Sequence, residues 1–145
     1  IVCCDTPDTL EQHPDSAIRT ARTAVTGAQN AGRLDSYYAA EKMGIKCRKQ
    51  WMATLDGKTR HSHAMLDGEI VDNDKKFSNG CRYPGDPNGP PSEIYNCRCT
   101  LVSEIEGIDT SGGKRRARNQ ATGRNKLIEN MSYAEWAGWK KKNGR

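Results

Sequence analysis

The sequence predicts an α+β fold, in which a long N-terminal helix packs on a small, mainly antiparallel sheet, with a long Gly/Pro-rich loop and a basic C-terminal tail. Three observations predict it. Small and apolar residues recur at steps of three or four from Ala17 through Ala21, Ala24, Ala28 and Ala31 to Leu34 and Tyr38, the period of one helix face. Three short segments, 45–55, 69–71 and 99–105, read as strands, the first and last by their alternation of buried and exposed residue types. Between the last two lies a stretch, 73–92, that holds Gly80, Pro84, Gly85, Pro87, Gly89, Pro90 and Pro91 and can sustain neither period.

Each element has a local reason. Residues 1–14 carry Pro7, Pro14 and scattered acids without periodicity, and read as a linker or arm. Asp15 or Ser16 can cap the helix, Ile18 and Val25 widen its stripe, and Gly44 ends it. Gly27 and Gly32 each lower helix propensity by roughly 1 kcal/mol relative to Ala, so a kink or a close crossing is expected near them. In the first strand Ile45, Cys47, Lys49, Trp51 and Ala53 share one side, and the turn Asp56, Gly57 closes it. Thr59 is placed to cap a short helix carrying Arg60, His63 and Leu66, which Gly68 terminates. A loop as long as 73–92 is commonly functional or an assembly surface. Residues 107–113 read as a hinge, and Ser132 with Glu135 forms a capping box for a final helix reaching about Lys142. The expected organisation is therefore an arm at 1–14, a domain at 15–108 and a basic extension at 109–145.

Composition narrows the class. The 145 residues suit one domain with appendages, since 34% hydrophobic content and a mean hydropathy of −0.89 leave part of the chain outside a core. No apolar run suits a bilayer span, so no membrane partner is expected. The chain starts at Ile1 without a basic leader or Met, which suggests a piece of a longer protein. Six cysteines with an adjacent Cys3, Cys4 pair suggest reduced thiols rather than a disulfide framework. Cys3, Cys4 and Cys47 read as small apolar fillers, and Cys81 belongs to the long loop. Residues 1–113 carry 13 Lys/Arg against 16 Asp/Glu, or −3, whereas 114–145 carry 10 against 2, or +8. The basic clusters Lys114, Arg115, Arg116 and Arg118, then Arg124 and Lys126, then Lys140, Lys141 and Lys142 suit phosphates or an acidic protein surface. The alternative is a solvated tail kept soluble by its charge. Trp136 and Trp139 could stack on bases or pin the last helix to a core.

Residues 51–101 concentrate the candidate chemistry. Cys97-x-Cys99 with His61, His63 and Cys81 raises zinc, but C-x-C lacks the spacing of the usual knuckle, and no tightly bound metal or other cofactor is expected. Arg60, His63, Asp67, Asn96 and Arg98 could instead supply a proton shuttle and anion-stabilising groups for a metal-independent nuclease-like toxin domain. The favoured reading is a structural brace. In it His63 bonds a backbone carbonyl of the Cys97 to Cys99 segment, and Arg60 or Arg98 pairs with Asp56 or Asp67.

These residues carry a family resemblance. Arg22-Thr23, Asn30-Ala31-Gly32-Arg33, Trp51-Met52-Ala53-Thr54-Leu55-Asp56, Thr59-Arg60, His63, Leu66-Asp67-Gly68, Tyr83-Pro84-Gly85-Asp86-Pro87 and Asn96-Cys97-Arg98-Cys99-Thr100-Leu101 stand in one order and spacing. Over residues 17–105 the chain resembles the phage head morphogenesis family, the Mu F-like minor capsid proteins. The resemblance implies a non-enzymatic minor head protein in the phage head interior of the virion, assembled in the host cytoplasm in several copies. It further implies the portal and other head proteins as partners and a part in DNA packaging or delivery, with the basic tail as the expected DNA contact. Some members resemble zinc sites, with Cys-x-x-Cys where this chain has Arg60-x-x-His63, and a His where it has Ile94. Those extra ligands are missing here.

Overall fold

A computed structural model describes residues 14–109 and 112–143, so residues 1–13 of the expected arm at 1–14, with Cys3 and Cys4, and part of the hinge lie outside the described residues. Helix α1 spans Pro14–Lys42 and is followed by Gly44 at φ +85°, the left-handed conformation that a glycine accepts without a Cβ penalty. Strand β1 (Cys47–Met52) is central in a sheet ordered β2-β1-β3, with β2 at Ile70–Val71 and β3 at Thr100–Ile105. Both pairings are antiparallel, Cys47 facing Ile105 and Met52 facing Thr100 on one side, and Lys49 facing Val71 on the other. Helix α2 (His61–Met65) precedes β2, and the one-turn helix α3 (Pro91–Ile94) closes the long loop.

The expected inward side of β1 is borne out at Cys47, Lys49, Trp51 and Ala53, all buried, while Ile45 stays exposed ahead of the strand. Trp51 is the hinge of the core, edge-on to both Phe77 and His63 with ring centroids 5.2 Å away in each case. Around it pack Leu34, Ala53, Leu66 and Leu101, with Phe77, Cys81, Tyr83, Cys97 and Cys99 from the segment between β2 and β3.

Helix α1 corrects the stripe read from its alanines. Ala17, Ala21, Ala24 and Ala28 are exposed, as are Ile18 and Val25, whereas Gly27, Asn30 and Leu34 are buried with Ala31, Tyr37 and Tyr38 partly so. Only the C-terminal half meets the sheet, and the face it turns there is chosen by a close approach. A Cβ on Gly27 would stand 2.6 Å from the carbonyl oxygen of Gly85, which itself holds φ +81°. The close crossing expected near Gly27 is thus made with the long loop. Gly32 has open space instead.

Lys49 is an unusual core residue, fully buried, with Nζ donating to the Asn73 carbonyl at 3.0 Å and lying 5.3 Å over the Phe77 ring. Burial, aided by Arg82, pushes its ammonium down to about 8 against the partial compensation of Asp74 and Asp86. Between about 8 and the ordinary lysine value of about 10.4 the unfolded chain holds more protons than the native one, so stability rises with pH across that window. Chemical denaturation from pH 7.5 to 9.5 should show this rise relative to Lys49→Met. Parallel curves for the two proteins would refute it.

The basic extension is the largest correction. It is not a solvated tail: Lys114–Arg118 (β4) and Asn125–Glu129 (β5) form an antiparallel hairpin, followed by helix α4 at Tyr133–Asn143. The capping box holds, with Glu135 Oε2 accepting the Ser132 N–H at 2.7 Å. The hairpin joins the body through a bridge between Leu55 and Ala117 and a second small core of Leu55, Ala117, Ile128 and Trp136. Trp136 pins the helix as one reading required, while Trp139 remains 40% exposed.

The tie between the two parts is Asp67. Its carboxylate takes both terminal nitrogens of Arg115 at 2.8 and 2.9 Å, the Ala53 N–H at 2.7 Å and the Tyr133 N–H at 2.7 Å. Arg115 also donates to the carbonyls of Ala53 and Met131, and its side chain is 8% exposed. Arg115 is therefore withdrawn from the expected set of nucleic-acid contacts, because its charge is paired with Asp67 and both terminal nitrogens are spent inside the fold.

Candidate functional site

Three chain segments build the site: the turn after β1, helix α2, and the connection from α3 into β3. Thr59 does not cap α2; its hydroxyl donates to the Thr54 carbonyl at 2.6 Å and to Asp56 Oδ1 at 3.1 Å, and Arg60 occupies the cap position. That arrangement folds the turn around Asp56, which is fully buried and also accepts the Lys58 N–H at 2.9 Å. Arg98 grips the same carboxylate at two points, 2.6 and 3.1 Å. Tyr133 donates its hydroxyl to the Asp56 carbonyl at 2.9 Å, so α4 supports the turn from behind.

Asn96 takes φ +56°, a left-handed conformation that asparagine tolerates better than most residues, and its N–H donates to Thr23 Oγ1 of α1 at 3.1 Å. The turn there directs the chain so that Cys97 and Cys99, two residues apart, send their sulfurs to one side and Arg98 to the other. Both sulfurs meet His63, Nδ1 standing 3.4 Å from Cys99 Sγ and 3.7 Å from Cys97 Sγ. The expected partner of His63 was a backbone carbonyl; two thiols stand in that place. Its other nitrogen, Nε2, lies 3.1 Å from Glu93 Oε2. Cys99 hydrogen-bonds Cys97 and lowers its thiol pKa against the opposing effect of burial, while the same contact and burial raise that of Cys99.

The remaining predicted residues fall into place differently. Arg60 donates to the Tyr95 carbonyl and, at 3.5 Å, to that of Glu93, holding α3 against α2. Asp67 faces Arg115 instead of Arg60 or Arg98. Glu93 and Asn30 were missed by sequence reasoning. Asn30, 3% exposed, donates to the carbonyls of Pro84 and Cys99 and accepts the Leu101 N–H, tying helix, loop and strand at one amide. Its place beside Ala31 on the buried face of α1 was the available signal.

Over the Cys and His cluster runs an open groove of about 950 Å³. Arg22 of α1, Lys58 and Arg60 of the turn, Arg98, and Arg118 of the hairpin all line it, together with His63, Cys97 and Cys99. Among the described residues no carboxylate lines this groove. Arg98 is neutralised by Asp56 beneath it, which leaves Arg22, Lys58 and Arg118 as the exposed cations that the groove brings together from distant parts of the chain. Lys114, Arg116, Arg124 and Lys126 are exposed on the hairpin, and Lys140, Lys141 and Lys142 on the last turn of α4.

An α+β domain knotted by buried Cys, His and carboxylate side chains under a basic groove is the class of protein that this geometry defines. Residues 8–102 match the family described as Phage Mu protein F like protein, and the chain belongs to that family of phage head proteins. It is 37% identical over 127 residues to the minor head protein GP7 of Bacillus phage SPP1, covering 84% of this chain and 39% of that protein. It is also 35% identical over 122 residues to the NAD(+)–arginine ADP-ribosyltransferase EFV of Enterococcus faecalis, covering 83% of this chain and 24% of that one. The uncharacterized protein YqbB of Bacillus subtilis is 33% identical over 99 residues, covering 63% and 32% respectively. The chain thus spans between a quarter and two fifths of the length of these relatives. No solved structure matches. No described helix is long and apolar enough to cross a membrane.

Proposed function

We propose that this chain is a domain of a minor head protein that works beside the portal, inside the phage head, and contacts the packaged or departing DNA through its basic groove and the basic face of the hairpin and α4. The groove carries this reading, since the exposed cations Arg22, Lys58 and Arg118, contributed by α1, the turn after β1 and the hairpin, converge there without a lining carboxylate among the described residues. Contacts of this kind neutralise phosphates and read no sequence, as a packaging or delivery role requires. The minor head protein GP7 relative supports the head assignment.

A non-enzymatic role fits the polar geometry better than the nuclease-like alternative built on Arg60, His63 and Arg98. His63 is 2% exposed with neighbours at both nitrogens, Arg98 is paired with Asp56, and Arg60 is spent on backbone carbonyls. A proton shuttle and free guanidiniums are what that chemistry would need. The contacts of Asp56, Arg60, His63, Asn96, Cys97, Arg98 and Cys99 support the brace reading, with Asp67 bracing the hairpin instead.

Fluorescence anisotropy with duplex DNA tests the proposal. Binding should be independent of sequence, and log affinity should fall with log salt at about −0.9 per phosphate neutralised. Replacing Arg22, Lys58 and Arg118 together with Gln should flatten that slope by about 2.7, three contacts' worth, with an unchanged circular dichroism spectrum. A triple variant with the wild-type slope and affinity would remove the groove from DNA contact. Loss of assembly into heads with DNA binding intact would move the role to protein contact.

A further inference from the structure

The Cys and His cluster beneath the groove brings three soft donor atoms together. We propose that His63 Nδ1, Cys97 Sγ and Cys99 Sγ form a binding site for one thiophilic divalent cation of the zinc class, which staples helix α2 to the connection between α3 and β3. The three donor atoms lie within 4.8 Å of one another, and all three residues are buried. The separations of Nδ1 from the two sulfurs, 3.7 and 3.4 Å, bracket the roughly 3.5 Å edge of a tetrahedron with zinc–nitrogen and zinc–sulfur bonds of about 2.0 and 2.3 Å.

The second nitrogen of His63 supplies an independent observation. Glu93 Oε2 stands 3.1 Å from Nε2, and Glu93 is itself positioned by the Ser62 hydroxyl at 3.2 Å and the Asn79 amide at 3.3 Å. The contact lacks hydrogen-bond alignment, but a carboxylate this close to the far nitrogen electrostatically favours the tautomer with its proton there and the near nitrogen as a lone pair, the orientation common in metal-bound imidazoles.

Charge favours the same occupant. A divalent cation and two thiolates sum to zero, and the histidine binds as the neutral ring, so the loaded site buries no net charge. Both thiols give up their protons on binding, which pass to the buffer. Softness selects zinc or its analogues over magnesium or calcium, whose preferred ligands are oxygens. The three donors also line the groove, so the fourth position is left to water or to a donor entering from it. Arg60 and Glu93 sit around the ligands and join α2 to α3, which is the connection the cation would tighten. The C-x-C spacing, a poor half-site by itself, becomes adequate because the fold brings His63 to the same side as both sulfurs.

The test is cobalt titration of the purified, reduced and chelator-stripped chain, read by visible absorption. The expected result is one equivalent bound, with the intense d–d bands of a tetrahedral site and thiolate-to-cobalt charge transfer, displaced by zinc. Alkylation mapped by mass spectrometry should then show Cys97 and Cys99 protected by zinc, with Cys47 and Cys81 unaffected as internal references. Glu93→Gln should fold as the wild type and bind cobalt 10- to 100-fold more weakly, the usual effect of losing such a carboxylate. Cys97→Ser should lose the charge-transfer band, and the protection map on the unmodified chain decides the matter if that variant does not fold. No cobalt spectrum in the folded chain, or protection of cysteines other than these two, overturns the proposal. Wild-type affinity in Glu93→Gln would remove Glu93 from it.

Discussion

Replacing Asp67 with Ala is expected to lower the stability of the whole described chain by about 3–5 kcal/mol, the cost of leaving a buried partner charge uncompensated. Four donors converge on this carboxylate: two from Arg115 and one each from the backbone of Ala53 and Tyr133. Removing it strands a guanidinium that is 8% exposed and two amide hydrogens at the seam between sheet and hairpin. Urea denaturation, with Arg115→Ala and the double variant completing a cycle, checks this. The single variants should cost more together than the double, since each strands what the other would have paired. A loss below about 1 kcal/mol for Asp67→Ala would place the seam in solvent exchange and refute the reading. The same contact predicts that deleting residues 114–145 destabilises the body.

Asn30→Leu is expected to cost about 3 kcal/mol or more, because several buried backbone groups lose their partner at once, at about 1–3 kcal/mol each. The amide of Asn30 is 3.0 Å from the Pro84 carbonyl and 3.2 Å from that of Cys99, and its oxygen accepts the Leu101 N–H at 2.9 Å. Helix α1, the long loop and the start of β3 all lose registration together. Asn30→Asp keeps the acceptor for Leu101 but turns a second oxygen toward two carbonyls, and should fare little better. Thermal unfolding followed by near-ultraviolet circular dichroism reports both. An Asn30→Leu protein melting within a degree or two of the wild type would show that the loop is held elsewhere, through Arg82 and Asp86, whose paired carboxylate is also buried.

The residues legible from the sequence are those whose neighbours are near in the chain. The long helix and its end at Gly44, the alternation of Cys47, Lys49 and Trp51, the capping box of Ser132 and Glu135, and the family motifs from Trp51 to Leu101 all follow from local period and turn chemistry. Tertiary structure decided what depends on meetings across the chain. The alanine stripe of α1 lies exposed at its N-terminal end because a helix buries whichever face another element reaches, and here Gly85 reaches Gly27. A run such as Lys114, Arg115, Arg116 reads as a solvated tail, yet alternation along β4 sends Arg115 inward to Asp67 and leaves its neighbours outside. The pairing of His63 with the Cys97 to Cys99 segment is legible in the sequence, but that both sulfurs rather than a carbonyl meet the ring, and that Glu93 stands behind it, is not. These side chains meet only because one left-handed residue, Asn96, turns the chain beneath α2, and the chemistry of the site follows from that meeting.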